Sequence, residues 1–318
     1  QSTTVPNTSN AKPLTSAMIG SPTVRHQARG FGPLGQRGMM MAKSPRGGLW
    51  MLVLGLILAI GGAFWASSVQ TSGGVSVRDI RFPGGPGKTM SALLYVPPRA
   101  TPQAKAPGIL AVHGYINSRE TQDAFAIEFA RRGYVVLAMD QTGHGYSDGP
   151  AFSNGFGGPA GLAYLRSLPM VDPDNIGLEG HSMGGWTVLA AAAAMPDAYK
   201  AVVLEGSSTG APYAKEGTPQ WPRNLGLVFS QYDEFSKLMW GVDRARDIGT
   251  SAKLKAVFGT TETIQPRKLY GSIGDGTARV LATPVVTHPG DHISPEAVAR
   301  AIDWFSVTLK GAKPIPSD

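Results

Sequence analysis

From residue 75 onwards, short apolar runs alternate with amphipathic or alanine-rich stretches. The short runs predict strands at 75–82, 89–96, 108–112, 134–139, 175–179, 201–204, 225–229 and 280–286. The longer stretches predict helices at 118–132, 157–168 and 186–195, and a final helix that begins at Pro295. This alternation predicts a mostly parallel central sheet with helices on both faces.

A separate apolar stretch, residues 49–69, carries no charge. It is long enough to cross a hydrocarbon layer of about 30 Å as a helix, and Trp50 and Trp65 lie near its ends, where aromatic rings favour the membrane interface. Positive charge is confined to its N-terminal side, which predicts a cytoplasmic N-terminus and an exported domain at 70–318. The alternative is a signal peptide that starts near Met39 and is cleaved near Ala66. The domain is therefore expected to be membrane-anchored and facing outwards, or secreted.

The net charge of +7 is unevenly distributed. Residues 1–48 hold six basic residues and no acid, and their Gly, Pro, Ser and Thr content predicts disorder. The rest holds 23 Lys and Arg against 22 Asp and Glu, so nothing favours nucleic-acid binding. There is no cysteine, which excludes disulfides and thiolate chemistry. We expect a monomeric catalytic domain with no cofactor and no metal.

The most informative motif is Gly-His-Ser-Met-Gly at 180–184, between a predicted strand and a predicted helix. Such a strand–turn–helix pushes the Ser182 hydroxyl out above the sheet, where it can act as a nucleophile. Glycine at 180 and 184 allows the helix and the strand to approach closely. The first amides of the helix point towards any oxyanion that develops there.

A serine nucleophile needs a histidine base, and that histidine needs a carboxylate partner. Only His288 and His292 follow Ser182 in the sequence. We favour His292, since it lies just ahead of the last helix, where a loop can carry its ring back over the serine. Asp233, after the strand 225–229, is the favoured acid because ligands gather at the carboxyl ends of parallel strands. The alternative acids are Glu205 and Glu234.

Two backbone amides are candidates for an oxyanion hole, which needs preorganised N–H donors. Met183 follows the nucleophile directly, and Tyr115 follows His113-Gly114 at the end of a strand. Large apolar side chains are candidates for an acyl or aromatic pocket: the tryptophans Trp186, Trp221 and Trp240, together with Tyr115, Phe152 and Met183.

Taken together, His113-Gly114, Asp140 with the loop 143–147, the motif 180–185 and His292 resemble the α/β-hydrolase fold over about residues 75–310. Within that superfamily the chain is similar to dienelactone-hydrolase-like and cutinase-like esterases, which include polyester hydrolases. It departs from them in having neither the cysteine nucleophile of dienelactone hydrolases proper nor a C-terminal disulfide. The stretch 234–279 exceeds a minimal connection and leaves room for a small cap.

The resemblance implies a serine carboxylic ester hydrolase that acts on a small-molecule or polymeric ester through an acyl-enzyme. Two other functions stay open at this point. A serine peptidase of the prolyl-oligopeptidase type uses the same residues in the same order. A non-catalytic interaction module could use the same scaffold.

Overall fold

An eight-stranded sheet forms the centre of the computed structural model, which describes residues 45–211 and 213–315. The strands are β1 (Ser76–Gly85), β2 (Lys88–Val96), β3 (Ala106–Val112), β4 (Val135–Met139), β5 (Val171–His181), β6 (Ala201–Glu205), β7 (Leu225–Val228) and β8 (Arg279–Ala282). Their order is β1-β2-β4-β3-β5-β6-β7-β8. Strand β2 is antiparallel to β1 and β4, and the other pairs are parallel. The predicted mostly parallel sheet is confirmed.

Helices cover both faces of this sheet, as the alternating pattern predicts. They are α2 (Asp123–Arg131), α3 (Gly158–Ser167), α4 (Met183–Ala194), α5 (Ser236–Trp240), α6 (Ala252–Phe258) and α7 (Pro295–Thr308), while a further helix, α1 (Pro45–Gln70), precedes β1 in the chain. Buried side chains of α3 and α4 form a hydrophobic core on one face. Those of α2 and α7 form a second core on the other face. The serine turn is therefore supported by apolar packing on both sides of the sheet.

The segment 234–279, where we expected room for a small cap, forms α5, a 3₁₀ turn at Ala245–Thr250 and α6. Its buried residues, among them Trp240 and Leu254, join the core on the α3/α4 face. Most of this segment is thus part of the main body of the domain. Only α5 and the residue before it reach the pocket described below.

Helix α1 contains the apolar stretch predicted at 49–69. Residues 47–74 form one helical stretch that is long and apolar enough to cross a membrane, and its apolar window is fully exposed. The chain divides into two units within α1, after Leu56, and residues 57–315 hold the sheet and the remaining helices. Of the segment predicted to be disordered, 1–48, all but the last four residues lies outside the described residues.

Two glycines allow α4 to lie directly against the sheet. A methyl group on Gly184 would lie 2.0 Å from the carbonyl oxygen of Val112 in β3. A methyl group on Gly180 would lie 2.3 Å from the carbonyl oxygen of Gly184. Both distances are far shorter than a normal non-bonded contact between carbon and oxygen. Neither position can therefore hold a larger residue without backbone movement. The predicted close approach of helix and strand is confirmed.

We therefore expect Gly184→Ala to lower the free energy of unfolding by about 3 kcal/mol or more, since a methyl group would force α4 away from β3. Urea unfolding of the full chain in detergent measures this change. Gly274→Ala is the matched control, because a methyl group there meets nothing closer than 3.9 Å. An unchanged midpoint for Gly184→Ala would contradict the packing described here.

Candidate active site

Ser182 occupies the sharp turn between β5 and α4. Its backbone has φ 54° and ψ −119°, a left-handed conformation that is strained for a residue with a side chain. Two hydrogen bonds hold the turn: the Ser182 N–H donates to the Glu205 carbonyl over 2.8 Å, and the Ser207 hydroxyl donates to the Ser182 carbonyl over 2.7 Å. The side chain is partly exposed and lines a pocket.

Asp233 and His288 form a buried pair after β7 and β8. His288 Nδ1 lies 2.7 Å from Asp233 Oδ2, so the ring donates to the carboxylate and keeps Nε2 as a proton acceptor. The other oxygen of Asp233 accepts from the Phe235 N–H over 2.8 Å. The His288 N–H donates to Glu234 Oε2 over 3.0 Å. The pair is therefore fixed in orientation on both sides.

The same pair lies beside the serine turn. Gly206 follows Glu205, whose carbonyl accepts the hydrogen bond from the Ser182 N–H. A methyl group on Gly206 would lie 2.7 Å from His288 Nδ1. His181, the residue before Ser182, donates a hydrogen bond from Nε2 to the His288 carbonyl oxygen over 2.9 Å. The ends of β5 and β6 thus hold the loop of His288 next to Ser182.

The expected pairing of Asp233 with His292 is wrong: the Asp233 carboxylate is hydrogen-bonded to His288. The 3₁₀ turn at Pro289–Ile293 carries His292 away from Asp233 and against His181, with ring centroids 3.9 Å apart. His292 Nδ1 is buried and has no partner. Burial, reinforced by the neighbouring His288, lowers the pKa of His292 to about 4. This imidazole is therefore a weak proton acceptor at neutral pH.

Neither alternative acid pairs with a histidine ring. Glu234 holds the His288 backbone, while Glu205 is fully buried and its carboxyl group forms a hydrogen bond with that of Glu179. Burial raises the pKa of Glu205 well above its usual range, and the neighbouring Glu179 and Asp291 reinforce that shift. Burial likewise raises the pKa of Glu179 to about 8 and of Asp291 to about 7. We call Glu179, Glu205 and Asp291 the buried carboxyl cluster. Because burial raises the pKa of each member, the folded protein favours their protonated, neutral forms.

The two amides expected to form an oxyanion hole are available as donors. Met183 is the first residue of α4, where N–H groups have no partner within the helix. Tyr115 lies in the turn after β3. Among the residues described, neither N–H donates to another backbone group.

An apolar pocket of about 610 Å³ opens at Ser182. Its walls come from the loops after β3 and β4, from α4, and from the segment around α5. They carry no charged side chain, and they consist of Tyr115, Phe152, Phe156, Ser182, Met183, Trp186, Tyr213, Phe235, Leu238 and Met239.

Only one of the three tryptophans expected in the pocket lies there. Trp186 lines the wall and stacks on Tyr213, with centroids 4.4 Å apart. Trp240 is 1% exposed and donates its indole N–H to the Ser207 carbonyl, so it supports the serine turn from below. Trp221 packs against the core outside the pocket. Sequence analysis missed Phe235, Leu238 and Met239, because a five-residue helix leaves no usable periodicity.

No group of three or more His, Cys, Asp or Glu side chains in the described ranges has the arrangement of a metal site.

Comparison with known proteins identifies the fold. A sequence profile described as the alpha/beta hydrolase fold matches residues 107–237. The quorum-quenching protein AidA of Acinetobacter baumannii is 35% identical over 122 residues, which are 36% of this chain and 39% of that protein. The monoacylglycerol lipase of Mycolicibacterium smegmatis is 32% identical over 122 residues, which are 35% of this chain and 41% of the lipase. The chain thus spans about two fifths of these relatives.

Among solved structures, an esterase of Pyrococcus furiosus superposes with a TM-score of 0.54 at 15% identity, over 76% of this chain and 94% of the esterase. Together with the sheet order, these matches confirm the α/β-hydrolase fold. The more specific resemblance to dienelactone-hydrolase-like and cutinase-like esterases stays a prediction.

The buried carboxyl cluster makes stability depend on pH. Its members have raised pKa values in the fold, so their stabilising contribution is complete below the usual carboxyl range and is lost as pH rises through about 7 to 8. Glu205→Gln removes one ionisable member. We expect its melting temperature to fall less than that of the wild type between about pH 5 and about pH 9.

Thermal unfolding across this pH series measures the difference. Glu262→Gln, at an exposed position, is the control and should follow the wild type. Parallel curves for Glu205→Gln and the wild type would show that Glu205 is not held neutral in the fold.

Proposed function

We propose that this chain is a serine carboxylic ester hydrolase whose triad is Ser182, His288 and Asp233. The observation that carries the proposal is the buried bond of 2.7 Å between His288 and Asp233 beside the strained serine turn. This assignment takes His288 in place of His292 as the base. It keeps Ser182 and Asp233 in the roles that the sequence predicts.

The mechanism follows from these positions. Ser182 Oγ attacks the ester carbonyl while His288 Nε2 takes its proton, and Asp233 stabilises the imidazolium that forms. The N–H groups of Met183 and Tyr115 bind the oxyanion, each worth about 3–4 kcal/mol in comparable enzymes. The imidazolium then protonates the leaving alcohol, and an acyl-enzyme remains on Ser182. His288 next takes a proton from water, which attacks the acyl group, and returns that proton to Ser182 Oγ as the acid is released.

The pocket supports esters with an apolar acyl or aromatic part. Its walls are aromatic and aliphatic, and Trp186 forms one of them. The name of one relative, a monoacylglycerol lipase, is compatible with this class. Because half-exposed side chains form the mouth of the pocket, we include polymeric esters, as in the cutinase-like resemblance.

Helix α1 supports a site of action outside the cytoplasm. Its length and exposed apolar surface suit a membrane anchor or a signal sequence, and both export the domain. If α1 is a membrane anchor, the catalytic domain lies on the outer side of the membrane.

The two histidines can be told apart by substitution. We expect Ser182→Ala and His288→Gln to lower kcat for p-nitrophenyl butyrate by about 10³-fold or more, since each removes a member of the triad. His292→Gln, the matched control on the same loop, should lower kcat by less than about tenfold, because its ring accepts no proton in the mechanism. Initial rates of the full chain in detergent measure all three.

Three results would overturn the proposal. Loss of activity in His292→Gln with retention in His288→Gln would return the base to His292. Turnover of a peptide anilide above that of any ester would favour the peptidase alternative. A folded wild type that neither turns over ester nor reacts with a serine-directed phosphonate would favour the interaction module.

The pocket wall predicts how activity depends on acyl length. Replacing Trp186 by Ala removes apolar contact with a long acyl group, so kcat/KM for the octanoyl ester should fall about tenfold and that for the acetyl ester should fall less. Trp221→Ala is the control, since Trp221 lies outside the pocket. Rates with p-nitrophenyl esters from acetate to palmitate test this difference. An equal loss at every chain length in Trp186→Ala would contradict the pocket.

A further inference from the structure

Apolar side chains stand in solvent around the mouth of the pocket. Five of its wall residues are between 45% and 57% exposed, namely Tyr115, Phe152, Tyr213, Phe235 and Leu238. Ile116, next to Tyr115, is 78% exposed. We call these six residues the collar. Contiguous exposed apolar groups of this kind mark contact sites, because folding alone would bury them.

Two collar residues are held outwards at a conformational cost. Ile116 has φ 54° and Phe152 has φ 64°, in the left-handed region that favours glycine. For a β-branched residue such as Ile116 this conformation is an outlier. Strained backbone of this kind clusters at sites of function, where the surrounding structure holds it in place. Phe152 packs on the rings of Tyr115 and Phe156, but for Ile116 neither packing nor backbone preference explains why an apolar side chain occupies the position.

We propose that the collar docks the enzyme on a lipid surface, from which an ester passes into the pocket without crossing water. This inference rests on the proposed ester hydrolysis and adds the physical state of the substrate. The collar suits such a surface in composition, since tyrosine and phenylalanine favour the boundary between water and hydrocarbon, and its members carry no charge.

The position of the collar favours a lipid over a protein as its partner. The collar surrounds the opening above Ser182, so a protein seated on it would close the pocket to the substrate. A fluid hydrocarbon layer covers the same residues and supplies the acyl chain at once. The chain also carries α1, an apolar helix long enough to cross a bilayer.

The absence of cysteine makes a direct test practical. Leu238→Cys and Val307→Cys place one thiol each on an exposed helix position, 57% exposed in α5 and 55% exposed in α7. Val307 lies near the end of α7, after Trp304, whose indole donates to the carbonyl of Asn224 ahead of β7. That is the opposite end of the parallel strands from Ser182, so Val307 is the matched control.

Each variant of the full chain, kept in solution by an amphipathic polymer, is labelled with an environment-sensitive fluorophore and mixed with phosphatidylcholine vesicles. We expect a blue shift and a rise in emission at position 238 and no shift at position 307. Equal responses at both positions, or none at 238, would overturn the docking surface. Both variants carry α1, so any insertion of α1 into the vesicles is common to them.

A kinetic measurement keeps the test independent of the label. The octanoyl ester is offered dissolved and then, at the same concentration, in phosphatidylcholine vesicles. In Leu238→Gln the ratio of the vesicle rate to the dissolved rate should fall about fivefold relative to the wild type, while Val307→Gln keeps the wild-type ratio. An unchanged ratio in Leu238→Gln would overturn the inference.

The two proposals fail in different ways. If the probe at position 238 responds to vesicles but Ser182→Ala hydrolyses the dissolved ester as fast as the wild type, the triad is wrong and the docking surface stands. If Ser182→Ala is inactive and neither the probe nor the rate ratio responds, the triad stands and the docking surface is wrong.

Discussion

The contact between α4 and the sheet at Gly184 is the constraint on which the site depends. With no side chain there, the start of the helix lies directly against the carbonyl groups at the end of β3. The close approach places Met183, the first residue of α4, beside the strained turn at Ser182. The turn after β3, with Tyr115, lines the same pocket. The absence of a side chain at Gly184 thus lets the proposed nucleophile and both candidate oxyanion donors lie around one opening.

His288, the proposed base, is held in place by a set of hydrogen bonds next to that turn. His288 is held by its ring bond to Asp233, by Glu234 on its N–H and by His181 on its carbonyl. Below it lies the buried carboxyl cluster, which is stable in the fold while its members are neutral. Nearby, the His292 ring stays uncharged because its pKa is lowered by burial. The loop therefore carries two histidines, of which only one has a carboxylate partner.

The sequence was sufficient for the sheet, the serine turn and the position of Asp233 beside a histidine, because each has a local signature: an apolar run, a glycine spacing, or a position just after a strand. It was insufficient to tell which histidine pairs with Asp233, since His288 and His292 are four residues apart and a 3₁₀ turn decides which ring reaches the carboxylate. It also misplaced Trp221 and Trp240. Whether an aromatic side chain lines a pocket or fills a core depends on tertiary packing, which composition does not encode.

The distribution of backbone strain connects the site with the collar. Seven non-glycine residues of the described chain have positive φ. Three of them line the pocket, Phe152, Phe156 and Ser182, and Ile116 and Asn154 lie within two residues of lining residues on the same loops. Each such conformation costs on the order of 1–3 kcal/mol, which the two hydrophobic cores must offset. Strain spread at random would not gather on three separate loops around one opening. The fold therefore maintains two costly features at one place, the strained turn of Ser182 and exposed apolar side chains, and the proposed hydrolysis of an ester held in a lipid layer requires both.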